Sequence, residues 1–373
     1  MNILFIETSL DPNKGGIERV SYTNAITLEK KGCSCFFAYF NRDYSEIPDD
    51  KKIKISSLDQ NSLNQTLASF IIKNKIGYII NQDIYSKTMR NFYSVYKEDL
   101  GFKLINCFHL SPNFYEYQKM TTLKAKLKYL TYQFVYGMNW FVRERRLMYD
   151  ICDKFVLLSE SFINDFARLY KLKDSSKLIA IPNPLPFHDD SIVDLSMKQK
   201  VVLIISRLYE TQKNIKASLR IWKEVQRRGF HDWKLEIVGK GQDEDILKKY
   251  AKEIELTNYE FMGESSNVEE YYKKASVFMM TSNYEGFGMT ILEAQHFGCI
   301  PIVMDNFSVA HDLINNEENG YLVLNENAFV EIMADIFMSS KNLLPLYNNC
   351  INSSVKFKSE SVCKKWASLF EQL

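Results

Sequence analysis

The chain is predicted to be an α/β protein made of two successive halves, each a largely parallel sheet wrapped by helices. Three observations carry this. Short apolar runs alternate with longer amphipathic stretches along most of the 373 residues. Strand–helix–strand alternation requires crossover helices over a parallel sheet. The alternation stops at a proline-bearing stretch, 181–194, and then restarts. The length itself suits two domains at roughly 150 residues each.

Each element follows from its local pattern. Residues 3–6 are a fully apolar first strand, and Gly15-Gly16 opens a helix over 17–31. Strands are expected at 34–40, 78–80, 103–109 (ending on His109), 154–158 and 177–181, with helices at 62–73 and 160–170. Pro182, Pro184 and Pro186 mark a linker. Beyond it, 201–205 (VVLII) is apolar throughout, as a strand covered on both faces must be. A helix at 214–228, a strand at 235–238, a helix at 244–254 and a strand at 259–262 follow. Segments 268–275, 277–281, 289–297 and 300–304 continue the alternation, and 321–324 is the last strand. Residues 328–373 read as helical with a break near 343–345.

Composition excludes several classes. Lys+Arg number 47 and Asp+Glu 46, a net charge of +1, which argues against a nucleic-acid binder. Hydrophobic residues make up 46% of a chain long enough to bury its core without staples. The seven cysteines contain no CxxC pair and suggest neither a disulfide framework nor a zinc site, so a reducing compartment is expected. The first residues lack a basic leader, and no apolar run is long enough to span a bilayer, so a cytoplasmic location is expected.

The densest chemical signal is TSNYEGFGMTILEAQHFGCIPIVM at 281–304. A strand ends at Thr281, a loop carries Gly286, Phe287 and Gly288, and a helix opens at Met289-Thr290. In a parallel sheet such a loop lies in the ligand crevice, and the helix N-terminus offers amides and a positive dipole end suited to phosphate. Glu285 and Glu293 bracket the loop, and carboxylates accept hydrogen bonds from sugar hydroxyls. Cations to balance them stand in SRLYETQKN, where Arg207 follows the 201–205 strand and Lys213 precedes the next helix. An Arg fork and a Lys point charge together suit a phosphate, although both are also ordinary loop residues.

Other features are weaker. Gly15 and Gly16 allow a close backbone approach or form a plain turn. His109 at a strand end fits either a site or a satisfied structural histidine. Asp243-Glu244-Asp245 imitates a metal-binding DxD, but acidic residues at a helix start complement the dipole, so no metal is expected. Between 119 and 146 stand seven cations and one acid, interleaved with aromatics. This suits either peripheral contact with an anionic membrane or a helix pair with its aromatics turned inward.

In combination these residues resemble the retaining glycosyltransferases of family four. The matching motifs are Gly15-Gly16 with Glu18-Arg19, His109, Ser206-Arg207-Leu208 with Lys213-Asn214, Val238-Gly239-Lys240-Gly241, and Phe261-Met262-Gly263. Glu285 through Glu293-Ala294, Gly298 with Pro301, and Asn319-Gly320-Tyr321-Leu322-Val323 complete them. Coverage is nearly continuous from 201 to 323 and sparse before it, and Ser206 stands where the family often has glycine. The resemblance implies a GT-B fold: two Rossmann-like domains, 1–190 and 191–355, facing a central cleft, with a helix at about 356–373 returning to the first.

It further implies a nucleotide-sugar donor, a UDP-hexose by family frequency, and no metal or other cofactor. Arg207 and Lys213 would bind the diphosphate, and amides around Phe287, Gly288, Met289 and Thr290 the phosphate and sugar. Glu285 would hold the donor sugar, Glu293 the ribose, Gly239 and Met262 the nucleotide. Gly15, Gly16 and His109 would approach from the first domain. The acceptor would be a glycan or lipid-linked glycan in surface polysaccharide assembly, at the inner face of the membrane. Two other classes stay open: a nucleotide-sugar 2-epimerase of related fold and a non-catalytic nucleotide-sugar-binding module.

Overall fold

The structure is a computed structural model that describes residues 1–12, 15–56, 59–82, 84–112, 127, 140–187, 193–338 and 343–373. The chain forms two compact units, Met1–Pro186 with Lys358–Leu373, and Phe187–Phe357.

The first unit runs β1 (Asn2–Glu7), α1 (Gly16–Lys30), β2 (Ser34–Tyr39), β3 (Lys52–Lys54), α2 (Gln60–Lys73), β4 (Tyr78–Gln82), α3 (Lys87–Leu100) and β5 (Lys103–Phe108). It continues with α4 (Trp140–Ile151), β6 (Lys154–Leu157), α5 (Ser161–Leu169) and β7 (Leu178–Ala180). All seven strands are parallel, in the order β3-β2-β1-β4-β5-β6-β7. Phe5 of β1 stands opposite Phe37 on one side and Ile80 on the other, so the sheet centre is apolar. Two elements escape the sequence pattern. The edge strand β3 is Lys-Ile-Lys, too short and charged to alternate. Helix α3 is bounded by signals that are legible once its ends are known: Ser86 Oγ accepts from the Met89 amide, and Gly101 ends it at φ 69°.

The second unit contains β8 (Gln199–Ile205), α6 (Glu210–Lys213), α7 (Ile215–Arg227), β9 (Lys234–Val238), α8 (Glu244–Glu253), β10 (Tyr259–Gly263), α9 (Glu269–Lys274) and β11 (Ala275–Met280). Then come α10 (Met289–His296), β12 (Ile300–Met304), α11 (Ala310–Leu313), β13 (Tyr321–Val323), α12 (Glu326–Met338) and α13 (Leu344–Ser354). Its six parallel strands lie in the order β10-β9-β8-β11-β12-β13. The strand order reverses between β8 and β11, as it does between β1 and β4 in the first unit. Ligands of open α/β sheets bind at such switch points, outside the strands' carboxyl ends.

The last helix, α14 (Ser359–Glu371), belongs to the first unit. Val362, Trp366, Leu369 and Phe370 join the core formed by Ile3, Phe5, Phe37 and Ile80, and the Tyr78 hydroxyl donates to the Phe370 carbonyl. The unit boundaries fall at 186/187 and 357/358, a few residues from the expected 190 and 355. The expected linker spans the 186/187 boundary, and its residues Ile181 through Leu185 are buried. Proline brings no N–H into the interior, so Pro182 and Pro184 can be buried without leaving an unpaired amide.

Candidate active site

The loops that follow β8 and β11 lie side by side in the second unit because those two strands pair directly, Val202 opposite Val277 and Leu203 opposite Phe278. Polar contacts tie the two loops together. The Thr281 hydroxyl reaches the carbonyls of Lys213 (3.2 Å) and Asn214 (2.9 Å). Its hydrogen is thereby committed, so Ser218 Oγ, 2.7 Å away, is the donor to Thr281 Oγ1. The Asn283 amide donates to the Gln212 carbonyl at 2.8 Å, and its Nδ2 to the Thr211 carbonyl at 3.0 Å. Gln212 Nε2 returns a bond to the Tyr284 carbonyl at 3.3 Å. Asn214 adopts a left-handed φ of 49° between α6 and α7, a conformation asparagine tolerates better than most residues.

This alignment sets Lys213 Nζ 2.7 Å from Glu285 Oε1, with the two side chains only 14% and 8% exposed. The two groups expected to serve phosphate and sugar therefore satisfy each other. Arg207 is exposed; its Nη2 donates to Gln212 Oε1 at 3.0 Å, and its guanidinium carbon lies 5.7 Å from the Tyr209 ring centre. Two cations and one acid thus leave the cluster one positive charge in excess.

The Arg207 loop is clamped from the β9 side. Ser206 and Leu208 amides donate to the Val238 and Lys240 carbonyls, each at 3.0 Å. Gly239 sits at φ +130°, and a Cβ there would stand 2.0 Å from the Ser206 oxygen. A Cβ on Gly241 would stand 2.2 Å from the Leu208 oxygen. These glycines let two backbones touch. The Gly239 amide donates to the Gly263 carbonyl at 2.7 Å, so this residue, expected among the donor contacts, acts here as a packing position.

After Glu285, the chain turns through Gly286 and Phe287, and Gly288 at φ +81° leads into α10 with no side-chain cap. The first-turn amides of Met289 and Thr290 have no intrahelical acceptor and lie at the positive end of the dipole. The rest of α10 is buried from Ile291 to His296. Gln295 Nε2 fixes the helix to the carbonyls of Leu313 (3.0 Å) and Asn319 (3.1 Å), and the Asn319 side chain accepts from the Asn315 amide (2.7 Å) and donates to the Leu313 carbonyl (3.2 Å). Phe287 packs edge-on against Phe357, so its ring belongs to the core.

Glu293 is separated from Glu285 in its partners. It is buried, and its Oε2 accepts from the Tyr272 hydroxyl at 2.9 Å. Tyr272, on α9 and fully buried, was not singled out in the sequence; nothing local marks a tyrosine in EEYYKK as a carboxylate partner. Met262, on β10, lines a cavity of about 660 Å³ with Ser265, Asn267 and Tyr271. Asp243 accepts from the Glu210 amide (2.8 Å), and Glu244 pairs with Lys248, so two acids of the DxD-like triplet serve local structure. Among the described residues, no group of three or more His, Cys, Asp or Glu is placed to hold a metal ion.

The remaining expected residues lie in the first unit. Gly15 is extended at φ −159°, directly before α1, and the Glu18 carboxylate folds against it. Space beside Gly16 is open. His109, one residue past β5, has Nε2 2.6 Å from Gln82 Oε1. With an amide oxygen as acceptor, Nε2 carries the hydrogen, which leaves Nδ1 a buried acceptor with no partner among the described residues. Burial lowers the imidazole pKa from 6.5 to about 4. Of the 119–146 segment, 119–126 and 128–139 lie outside the described residues. Within α4, Arg145 is buried, its guanidinium over the Tyr85 and Phe108 rings, and Arg146 donates to the Lys171 carbonyl at 2.7 Å. Glu144 pairs with Arg90. Two of the seven expected membrane-facing cations are therefore bound into the unit. Among the described residues, no helix is long and apolar enough to cross a membrane.

The model of the family described as glycosyl transferases group 1 matches residues 189–356. An uncharacterized glycosyltransferase of Haemophilus influenzae is 25% identical over 366 residues, 95% of this chain and 96% of the relative. The amylovoran biosynthesis glycosyltransferase AmsD of Erwinia amylovora is 25% identical over 363 residues, 95% of each. Among solved structures, HepE of Anabaena in complex with UDP superposes with a TM-score of 0.75 over 100% of both chains at 15% identity.

Two outcomes follow from this geometry. Lys213→Met leaves Glu285 buried without its counter-ion and is expected to cost about 3–5 kcal/mol in urea denaturation, much of it recovered by the double variant Lys213→Met/Glu285→Leu. For His109, the unfolded chain takes up the proton first as pH falls, so stability present above pH 6.5 drains away down to about 4. The loss is at most about 1.4 kcal/mol per pH unit. Melting temperatures measured across that window are expected to fall more steeply for the wild type than for His109→Gln.

Proposed function

Residues 189–356 belong to the glycosyl transferases group 1 and the chain is a glycosyltransferase; from that premise we propose that it moves a hexose from a UDP-sugar to a glycan or lipid-linked glycan acceptor, with retention at the anomeric carbon and without a metal. The observation that carries the donor side is the Lys213–Glu285 pair beside Arg207 and the α10 N-terminus. A uridine nucleotide is favoured by the UDP bound to HepE, and a surface-polysaccharide role by the amylovoran assignment of AmsD.

In this reading, the arriving diphosphate competes with Glu285 for Lys213. Lys213 turns to a phosphate oxygen, and the Glu285 carboxylate is released to accept from sugar hydroxyls. As the C1–O bond breaks, charge grows on the leaving phosphate, where Arg207, Lys213 and the Met289 and Thr290 amides stabilise it without reorganising. The acceptor oxygen attacks C1 from the face the phosphate leaves, and its proton passes to the departing phosphate oxygen. This route needs no side-chain base. Glu293, held by Tyr272, is assigned to the ribose, and Met262 to the base side. Contact of 119–146 with the inner membrane face belongs to the same proposal.

A thermal-shift panel of UDP-, GDP- and ADP-sugars is expected to stabilise the protein most with a UDP-hexose. With the identified donor and an acceptor, NMR of the product is expected to show the donor's anomeric configuration, and turnover to survive EDTA. Arg207→Ala is expected to lower kcat by about 10²–10³-fold. An inverted anomer, or product formed without acceptor, would overturn the reading.

A further inference from the structure

Arg207 is exposed, and a long exposed side chain samples many rotamers. Its charged end lies beside the Tyr209 ring and is directed by a hydrogen bond, from Nη2 to Oε1 of Gln212. Gln212 is itself held at two points, its carbonyl by the Asn283 amide and its Nε2 by the Tyr284 carbonyl. Both anchors belong to the segment that ends in Glu285. Lys213, the next residue, is fixed to Glu285 directly. Gln212 thus stands between the exposed cation and the largely buried acid–base pair.

We propose that Gln212 is a positioning residue that couples Arg207 to the Glu285 segment, so that the guanidinium and Lys213 meet an anionic ligand as one pre-set unit. This inference rests on the proposed role of Arg207 in binding the diphosphate. The amide is the side chain the task requires. It accepts from the guanidinium through oxygen and donates to the carbonyl through nitrogen at the same time. A carboxylate would grip Arg207 but could not donate to Tyr284, and it would put a negative charge where the ligand's own charge must lie. Leucine would do neither.

The test is a double-variant cycle on UDP affinity by titration calorimetry, with wild type, Gln212→Leu, Arg207→Ala and the double variant, and Gln212→Glu alongside. Gln212→Leu is expected to weaken UDP by about tenfold, the scale of one charge-assisted hydrogen bond. The double variant is expected to bind no more weakly than Arg207→Ala, because Gln212 acts only through Arg207. Gln212→Glu is expected to bind more weakly than Gln212→Leu. A merely structural Gln212 would give multiplied, independent losses in the double variant, and that result overturns the proposal, as does full affinity in Gln212→Leu. The same cycle is run with inorganic pyrophosphate. If UDP fails to bind the wild type while pyrophosphate binds, the uridine reading falls and the Gln212 cycle is still decided on pyrophosphate. If neither binds, both fall.

Discussion

The pair between Lys213 and Glu285 is the contact on which the rest of the site depends. Two charges taken largely out of water cost several kcal/mol each unless they meet in good geometry with their remaining hydrogen-bonding capacity met. Here the geometry is imposed by backbone. Thr281, Asn283 and Gln212 bind one loop to the other along four successive residues, so neither partner can drift far from the other. In the proposed reading, the pair holds the lysine and the acid together until an anionic substrate competes for the lysine.

The sheet explains why this arrangement lies where it does. The strand order of the second unit reverses between β8 and β11, and both loops leave the carboxyl ends of those two strands. Two further layers hold them. Gly239 and Gly241 press the β9 loop onto the Arg207 loop with no side chain between. Gln295 pins the C-terminal end of α10 to the carbonyls of Leu313 and Asn319.

Much of the fold was legible because its strands are short apolar runs separated by capped or amphipathic helices. Of what was missed, β3 lacks those signals, being three residues with two lysines, whereas α3 carries them in Ser86 and Gly101 at its ends. The prolines after residue 181 pointed to a linker, but not to its burial, because composition reports the absence of amides and not the burial that this absence permits. In the site, Arg207, Lys213, Glu285 and Glu293 could be picked out by residue type beside glycine loops and strand ends. Their pairings could not. Lys213 and Glu285 are 72 positions apart and meet only because β8 pairs with β11 across two intervening strands in the sequence. Tyr272 reaches Glu293 from a six-residue helix with no local mark of that role.

The account stands or falls on where a nucleoside diphosphate settles in the second unit. A crystal structure of the protein with UDP bound tests this directly. The diphosphate is expected against the Arg207 guanidinium, Lys213 Nζ and the Met289–Thr290 amides, with Lys213 drawn away from Glu285. A UDP lying elsewhere, with the Lys213–Glu285 pair intact beneath solvent, would contradict it.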